Sequence, residues 1–329
     1  MNAIKKIGLT ALAGSLVATS VFAGEMTVTG SAGINLANQD KTSQGNGFSM
    51  TDEITFAGSG EMDNGWTVAV SMQLDNNAQA AAGNNMDNRS VTIGMGDLGT
   101  VTFSGHGGDS AFGAVDDKTP SAYGEAWDIL GTTTSGGIVP ETAVAKLGSI
   151  GGTGTDNMLS YNNSSFVDGL SVTASYVPSN GTVVESVTSF AVAYTGVEGL
   201  TVGYAQDDNG LAGTSAIDVD TMYAKYVYGP VTVGYQVSTQ DANGSTNDDE
   251  FTAMGVTYAV SDSLSIGYNT TEYNDDDNTS DEESTSISFS YTMGSMTLAG
   301  AQVSVDNQGG SAAAINDVSG YALDLSFAF

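Results

Sequence analysis

The last nine residues, Tyr321-Ala322-Leu323-Asp324-Leu325-Ser326-Phe327-Ala328-Phe329, alternate strictly between apolar and small or polar side chains. Successive side chains of an extended strand point to opposite sides, so Tyr321, Leu323, Leu325, Phe327 and Phe329 share one face and Ala322, Asp324, Ser326 and Ala328 the other. One face suits lipid and the other suits water. The same period recurs upstream in Met26, Val28, Ala32, Ile34 and Leu36, in Trp66, Val68, Val70, Met72 and Leu74, and in Val231, Val233, Tyr235 and Val237. It returns in Leu264, Ile266 and Tyr268 and in Ile287, Phe289, Tyr291 and Met293, whereas helical periodicity is scarce.

Two kinds of connection alternate between these stripes. Seven are short and centre on Asp63-Asn64-Gly65, Asp97-Leu98-Gly99, Val167-Asp168-Gly169, Val197-Glu198-Gly199, Tyr228-Gly229-Pro230, Ser261-Asp262-Ser263 and Gly294-Ser295. Asp, Asn, Ser and Gly there supply the capped or left-handed conformations of tight hairpins. The other eight are longer and polar, at about 38–46, 79–87, 107–155, 179–185, 208–216, 240–249, 274–283 and 306–316. Fifteen links join sixteen strands. An even number of strands with short turns at one rim and long loops at the other predicts an all-β transmembrane antiparallel barrel, wide enough at sixteen strands for an aqueous channel.

Composition agrees with that reading. Among 329 residues there are 38 Asp and Glu against 7 Lys and Arg, a formal net charge of −31, so phosphate-backbone binding is disfavoured. Only 14% of residues are charged, fewer than in a disordered acidic tail, and there is no Cys for disulfides, thiolate metal sites or nucleophiles. Residues 1–23 have Lys5 and Lys6, then an uncharged stretch, then Val21-Phe22-Ala23, the layout of a secretory signal cleaved after Ala23. Its removal takes the charge to −33 and leaves 24–329 as the barrel, in which the longest apolar run is the five residues Phe190 to Tyr194. That is too short for a membrane helix.

The export signal, the opening strand Glu25-Met26-Thr27-Val28-Thr29-Gly30, the sixteen-strand rhythm and the terminal Phe329 together resemble the general porins of Gram-negative outer membranes, the alphaproteobacterial branch in particular. The resemblance implies a homotrimer in outer-membrane lipid and lipopolysaccharide, passing small hydrophilic solutes. It also implies that barrel-assembly machinery reads the ending Tyr321, Leu323, Leu325, Phe327 and Phe329. In that family the third external loop folds into the barrel and narrows it to an eyelet. Residues 107–155 hold the matching place after the fifth strand, with short helical turns expected at 119–122 and 140–143, each containing Pro. A long surface loop is the plainer alternative, although loops of this length are uncommon without a role.

Selectivity in such a pore resides in the charges at its narrowest point. The loop carries Asp109, Asp116, Asp117, Glu125, Asp128 and Glu141 against Lys118 and Lys146. By strand parity Glu53, Asp75, Asp324 and Lys225 face the lumen, His106 shares the inner phase of Thr102 and Ser104, and Arg89 shares the outward phase of Val91 and Ile93. Family eyelets commonly oppose a wall cluster of Arg and Lys to acids on the loop. Here only Arg89 and Lys225 are basic on strands, so carboxylates dominate and cations are expected to pass preferentially.

The runs Asp275, Asp276, Asp277 and Asp281, Glu282, Glu283 have two readings, a hydrated rim or oxygen-rich sites for Ca2+ or Mg2+ bridging loops or lipopolysaccharide; neither has EF-hand spacing. Trp66, Tyr176, Tyr194, Tyr204, Tyr258, Tyr268 and Phe329 suit interfacial aromatic girdles, while Tyr123 and Trp127 suit packing of the loop on the wall. Catalysis is disfavoured, since Ser104 and His106 share a strand face with no orienting acid in the local sequence. A soluble exported acidic β-rich binding or surface-layer protein explains the acidity, but not lipid-like faces ending in Phe329.

Overall fold

The computed structural model describes residues 26–40, 47–75, 86–126, 156–179, 185–208, 217–242, 248–275, 279–308, 310, 312 and 317–329. The leader 1–23 lies outside the described residues, as do Asp128, Glu141, Lys146, Trp127, Asp276, Asp277 and the turn expected at 140–143.

Strict alternation of apolar and polar residues produces strands throughout. They are β1 (Met26–Gln39), β2 (Gly47–Glu61), β3 (Thr67–Asp75), β4 (Met86–Gly94), β5 (Thr100–His106), β6 (Met158–Val167), β7 (Leu170–Val177) and β8 (Val187–Val197). The second half comprises β9 (Leu200–Asp208), β10 (Ile217–Tyr228), β11 (Val231–Ala242), β12 (Asp248–Ala259), β13 (Leu264–Asp275), β14 (Glu282–Met293), β15 (Met296–Asp306) and β16 (Val318–Ala328). Each pairs antiparallel with its sequence neighbours, and β16 returns to β1, closing a sixteen-strand barrel. Closure matters in lipid because an open edge leaves backbone N–H and C=O groups with no water to satisfy them.

The seam shows how the chain ends are joined. Ser31 lies opposite Ala328, Leu36 opposite Leu323 and Gln39 opposite Gly320. Beyond this ladder, Gly30 N–H donates to the Phe329 carbonyl at 2.8 Å and Phe329 N–H to the Gly30 carbonyl at 2.9 Å. At the other rim, Ser319 donates its N–H and hydroxyl to the two carboxylate oxygens of Asp40 at 2.9 and 3.0 Å.

The hairpin turns follow their local chemistry. Gly65 has φ 81°, which a side chain disfavours, and Asn64 accepts the Trp66 N–H at 3.1 Å. The turn at Ser261 has no glycine and uses the serine hydroxyl instead, which accepts the Leu264 N–H at 3.1 Å. Strand lengths run from the seven residues of β5 to the fifteen of β2. β5 ends early because the chain turns off the wall at Gly107, with φ 61°, followed by Gly108, where a Cβ would stand only 2.5 Å from that of Ser104.

Apolar side chains such as Ile34, Phe56, Met72, Phe190, Met222, Tyr258, Ile266 and Phe329 lie exposed on the outer surface. Burial occurs inside the barrel. Ala111, Phe112 and Val115 pack on Ala191, Ala205, Val219, Tyr223, Phe251, Ala253 and Tyr273, and Ala126 and Tyr123 pack on Ala301, Val303, Val305 and Val318. Each set joins the segment after β5 to the wall.

Candidate functional site, the lumen and its seated loop

The first part of the long connection, residues 107–126, sweeps across the inward faces of β7 to β16. It begins at a closed neck, where Asp156 accepts the Gly107 N–H at 3.2 Å and its other oxygen lies 3.8 Å from His106 Nε2. Residues 110–116 then form a tight coil, with Ala114 N–H bonding Ser110 C=O and Asp116 N–H bonding Phe112 C=O, both at 3.0 Å. Ala111 N–H donates to Ser175 Oγ at 3.1 Å and Phe112 N–H to Ser189 Oγ at 3.4 Å. Phe112 is fully buried, and such burial of a large apolar side chain contributes roughly 1.5–3 kcal/mol.

The middle of the segment is clamped by one side chain. Gln236 on β11 accepts the Lys118 N–H at 3.0 Å and donates to the Asp116 carbonyl. The helical turn expected at 119–122 is absent. Pro120 instead lies over the bare backbones of Gly234 and Gly255, where a Cβ would stand 2.5 and 3.1 Å from its Cδ. Ala122 N–H donates to Ser288 Oγ at 3.2 Å, and Gly267 leaves room beside it. The wall therefore selects an irregular, bent path here, and the helical coil forms upstream at 110–116. These seat residues escape sequence reading, because inward Gly, Ser and Gln look like ordinary water-facing strand positions; regular spacing across neighbouring strands is their only trace.

The charges distribute unevenly. Burial, then Asp117 and Asp109, push Asp116 up to about 7, against the opposing effect of Lys118 and its backbone hydrogen bond. Burial also raises Asp109, although Lys118 partly offsets it. Tyr123 rises to about 12 through burial and the nearby Asp324 charge, so its phenol remains a neutral donor at physiological pH. Lys225 occupies the inward phase of β10, opposite Gly234, and is close enough to Lys118 for the two cations to repel.

Across the lumen, Gln73 donates to Glu53 at 2.5 Å and Asn88 donates to Gln73 at 2.6 Å, which fixes the inward phase of β2, β3 and β4. Asp75 pairs in register with Glu53, and Asp324 reaches the wall beside Thr51 and Gly33. No Lys or Arg projects inward from β1 to β6 among the described residues. Arg89 is exposed on the outward face, its side chain lying across Gly105. A register shift there sets Arg89 opposite His106 and Ser90 opposite Ser104.

The described members of the acidic run near 275–283 divide between two faces, with Asp275 and Glu282 both inward around Tyr273. Glu282 is buried on the inward face and Glu283 is exposed on the outward one, as strand alternation requires, while Asp275 faces inward beside Tyr273 and Asp281 is exposed. Among the described residues no group of three or more His, Asp or Glu is placed to hold a metal ion.

A closed barrel with an apolar outer surface, a polar lumen and the segment 107–126 seated within it defines a transmembrane diffusion channel. The sequence from 8 to 311 matches the Gram-negative porin family, and the chain belongs to that family. It is thus an outer-membrane porin, a channel protein and not an enzyme. A search of curated protein sequences returns no match. Similar solved structures include a mutant of the Rh. blastica porin, at TM-score 0.67 and 16% identity over 92% of this chain and 100% of that one. An anion-selective porin from Comamonas acidovorans aligns at TM-score 0.65 and 15% identity over 92% of this chain and 99% of that one. Salmonella typhi OmpF in complex with daunomycin aligns at 0.65 and 13%, over 93% and 98%.

Proposed function

We propose that this porin is a homotrimeric general-diffusion channel for small hydrophilic solutes and that it prefers cations. One observation carries the preference: Glu53, Asp75, Asp109, Asp116, Asp117, Glu125 and Asp324 occupy the lumen and its loop against Lys118 and Lys225. Asp128 joins the acidic set by its place in the same connection. Fixed negative charge concentrates cations and excludes anions. The barrel does not decide the sign of selectivity, since the Comamonas acidovorans porin of the same architecture is anion-selective. Wall and loop charges decide it.

Three further elements belong to the same proposal. Residues 1–23 are an export signal cleaved after Ala23. The alternating ending at Phe329 is recognised by barrel-assembly machinery, and the acids of the outer loops keep the rim hydrated next to lipopolysaccharide.

The deciding experiment reconstitutes the purified protein in a planar bilayer under a salt gradient. A reversal potential of cationic sign is expected, shrinking as salt rises because the screening length falls from about 10 Å at 0.1 M to about 3 Å at 1 M. An anion-selective reversal potential overturns the charge argument, whereas absence of conductance overturns the channel reading itself.

A further inference from the structure

Lys225 stands apart from the other charges on its part of the wall. Among the described residues the inward faces of β7 to β15 carry four acids, Asp207, Asp249, Asp275 and Glu282, and one base, Lys225. The four acids are buried at the long-loop ends of their strands. Asp207 pairs with Val219, six residues from Lys225 along β10. Asp249 pairs with Gln240, six residues along β11 from Gly234, the cross-strand partner of Lys225. Strand rise puts both acids about 20 Å from the lysine. Toward the short-turn rim the neighbouring inward positions are neutral, Thr201 in register on β9 and Thr232 on β11.

The charge that bears on Lys225 is a second cation. Lys118, in the seated segment, is close enough to repel it. The seat enforces this approach, because Pro120 packs on the bare backbone of Gly234 and the Lys118 carbonyl stands 3.6 Å from where a Cβ there would be. Gln236, two residues along β11, holds the Lys118 N–H at 3.0 Å. Neither lysine makes an ion pair among the described residues, where the contact of that kind joins His106 and Asp156. Lys118 also acts on Asp109 and Asp116, but burial favours the protonated form of both. Two partly buried ammonium groups facing each other destabilise the empty site, and an anion between them relieves it.

We propose that Lys118 and Lys225 form an oxyanion subsite in the lumen, which takes the carboxylate or phosphate group of a passing solute while the carboxylates around it take the solute's ammonium. The subsite rests on the diffusion-channel reading and narrows its solute class to small zwitterions. Each lysine offers three N–H donors, so one oxyanion accepts charge-assisted hydrogen bonds from both. Asp117, exposed and next to Lys118 in the chain, is placed to meet the opposite charge. A simple cation gains nothing from the lysine pair, and a simple anion is disfavoured by the surplus of acids. A solute carrying both charges meets a partner for each.

Two probes that differ only in the oxyanion test this, phosphoethanolamine and ethanolamine. Each is added to both sides of a planar bilayer holding the full-length porin, and block of the potassium current is read at low salt. Phosphoethanolamine is expected to block the parent channel more strongly than ethanolamine does. Lys225→Gln and Lys118→Gln should each weaken that block about tenfold or more, the loss of one charged hydrogen bond, while Lys225→Arg retains it. Equal block by the two probes in a conducting parent overturns the subsite and leaves the porin reading standing. Block that survives Lys225→Gln but not Lys118→Gln, or the reverse, overturns the pairing of the two lysines. A parent protein that does not conduct overturns the porin reading, and the subsite's role falls with it.

Discussion

Gln236 holds the seated loop at two backbone points at once, accepting the Lys118 N–H at 3.0 Å and donating to the Asp116 carbonyl. These flanking bonds fix Asp116, Asp117 and Lys118 against β11, so the position of three charged side chains depends on one neutral residue.

Gln236→Leu removes both bonds and leaves a buried N–H and C=O to be satisfied elsewhere, a loss of about 2–4 kcal/mol in loop seating. The barrel ladder is untouched. Single-channel recordings should show larger, noisier conductance, and protease should cut near Lys118 faster than in the parent protein.

Charge neutralisation at the same place tests selectivity. Asp116→Asn with Asp117→Asn is expected to lower the cation-to-anion permeability ratio while heat-modifiable gel migration stays unchanged. An unaltered reversal potential would place these side chains away from the ion path.

Asp116 also predicts pH dependence. Its pKa is raised from an ordinary 3.8 to about 7, so over that window the folded protein holds a proton that the unfolded chain has released. Stability of the seated loop therefore falls as pH rises from about 4 to about 7, the opposite of a salt-bridged carboxylate. Ionisation adds negative charge to the lumen as pH passes 7, so cation preference should rise between pH 5.5 and 8. Asp116→Asn should flatten both trends.

Pro120 needs the bare backbones of Gly234 and Gly255. Gly255→Val should displace the loop from β12 and widen the pore, seen as faster entry of uncharged solutes in liposome swelling, with the barrel's β content by circular dichroism unchanged.

At the seam, Phe329 exchanges two backbone bonds with Gly30, and its ring covers the glycine, where a Cβ would stand 2.7 Å from the ring. Deleting Phe329 removes both bonds and the last outward aromatic residue. The folded, heat-modifiable form should drop several-fold in outer-membrane fractions.

Much of this was legible along the chain. The alternation ending at Phe329 and the glycine-rich turns lead to sixteen strands, and parity placed Glu53 and Lys225 inward and Arg89 outward. Parity worked because a strand has a period of two and β2 runs without a bulge against β1. It is blind to events such as the Gly105 irregularity, where one extra residue sets His106 opposite Arg89. The expectation at 119–122 failed for another reason: Pro at a first helical position is a local preference, and contacts of Pro120 with Gly234 and Gly255 override it.

By itself, then, the sequence determined the class of molecule: a strand-rich, acidic chain whose apolar stripes require lipid and whose closed edges require a barrel. Only the tertiary structure decided how the lumen is divided. The path of 107–126 depends on Ser175, Ser189, Gln236, Gly255 and Ser288, which come from five different strands and become neighbours only when the sheet closes. Local periodicity records which face a residue occupies. Contacts between residues more than a hundred positions apart, such as Lys118 and Gln236, leave no such record.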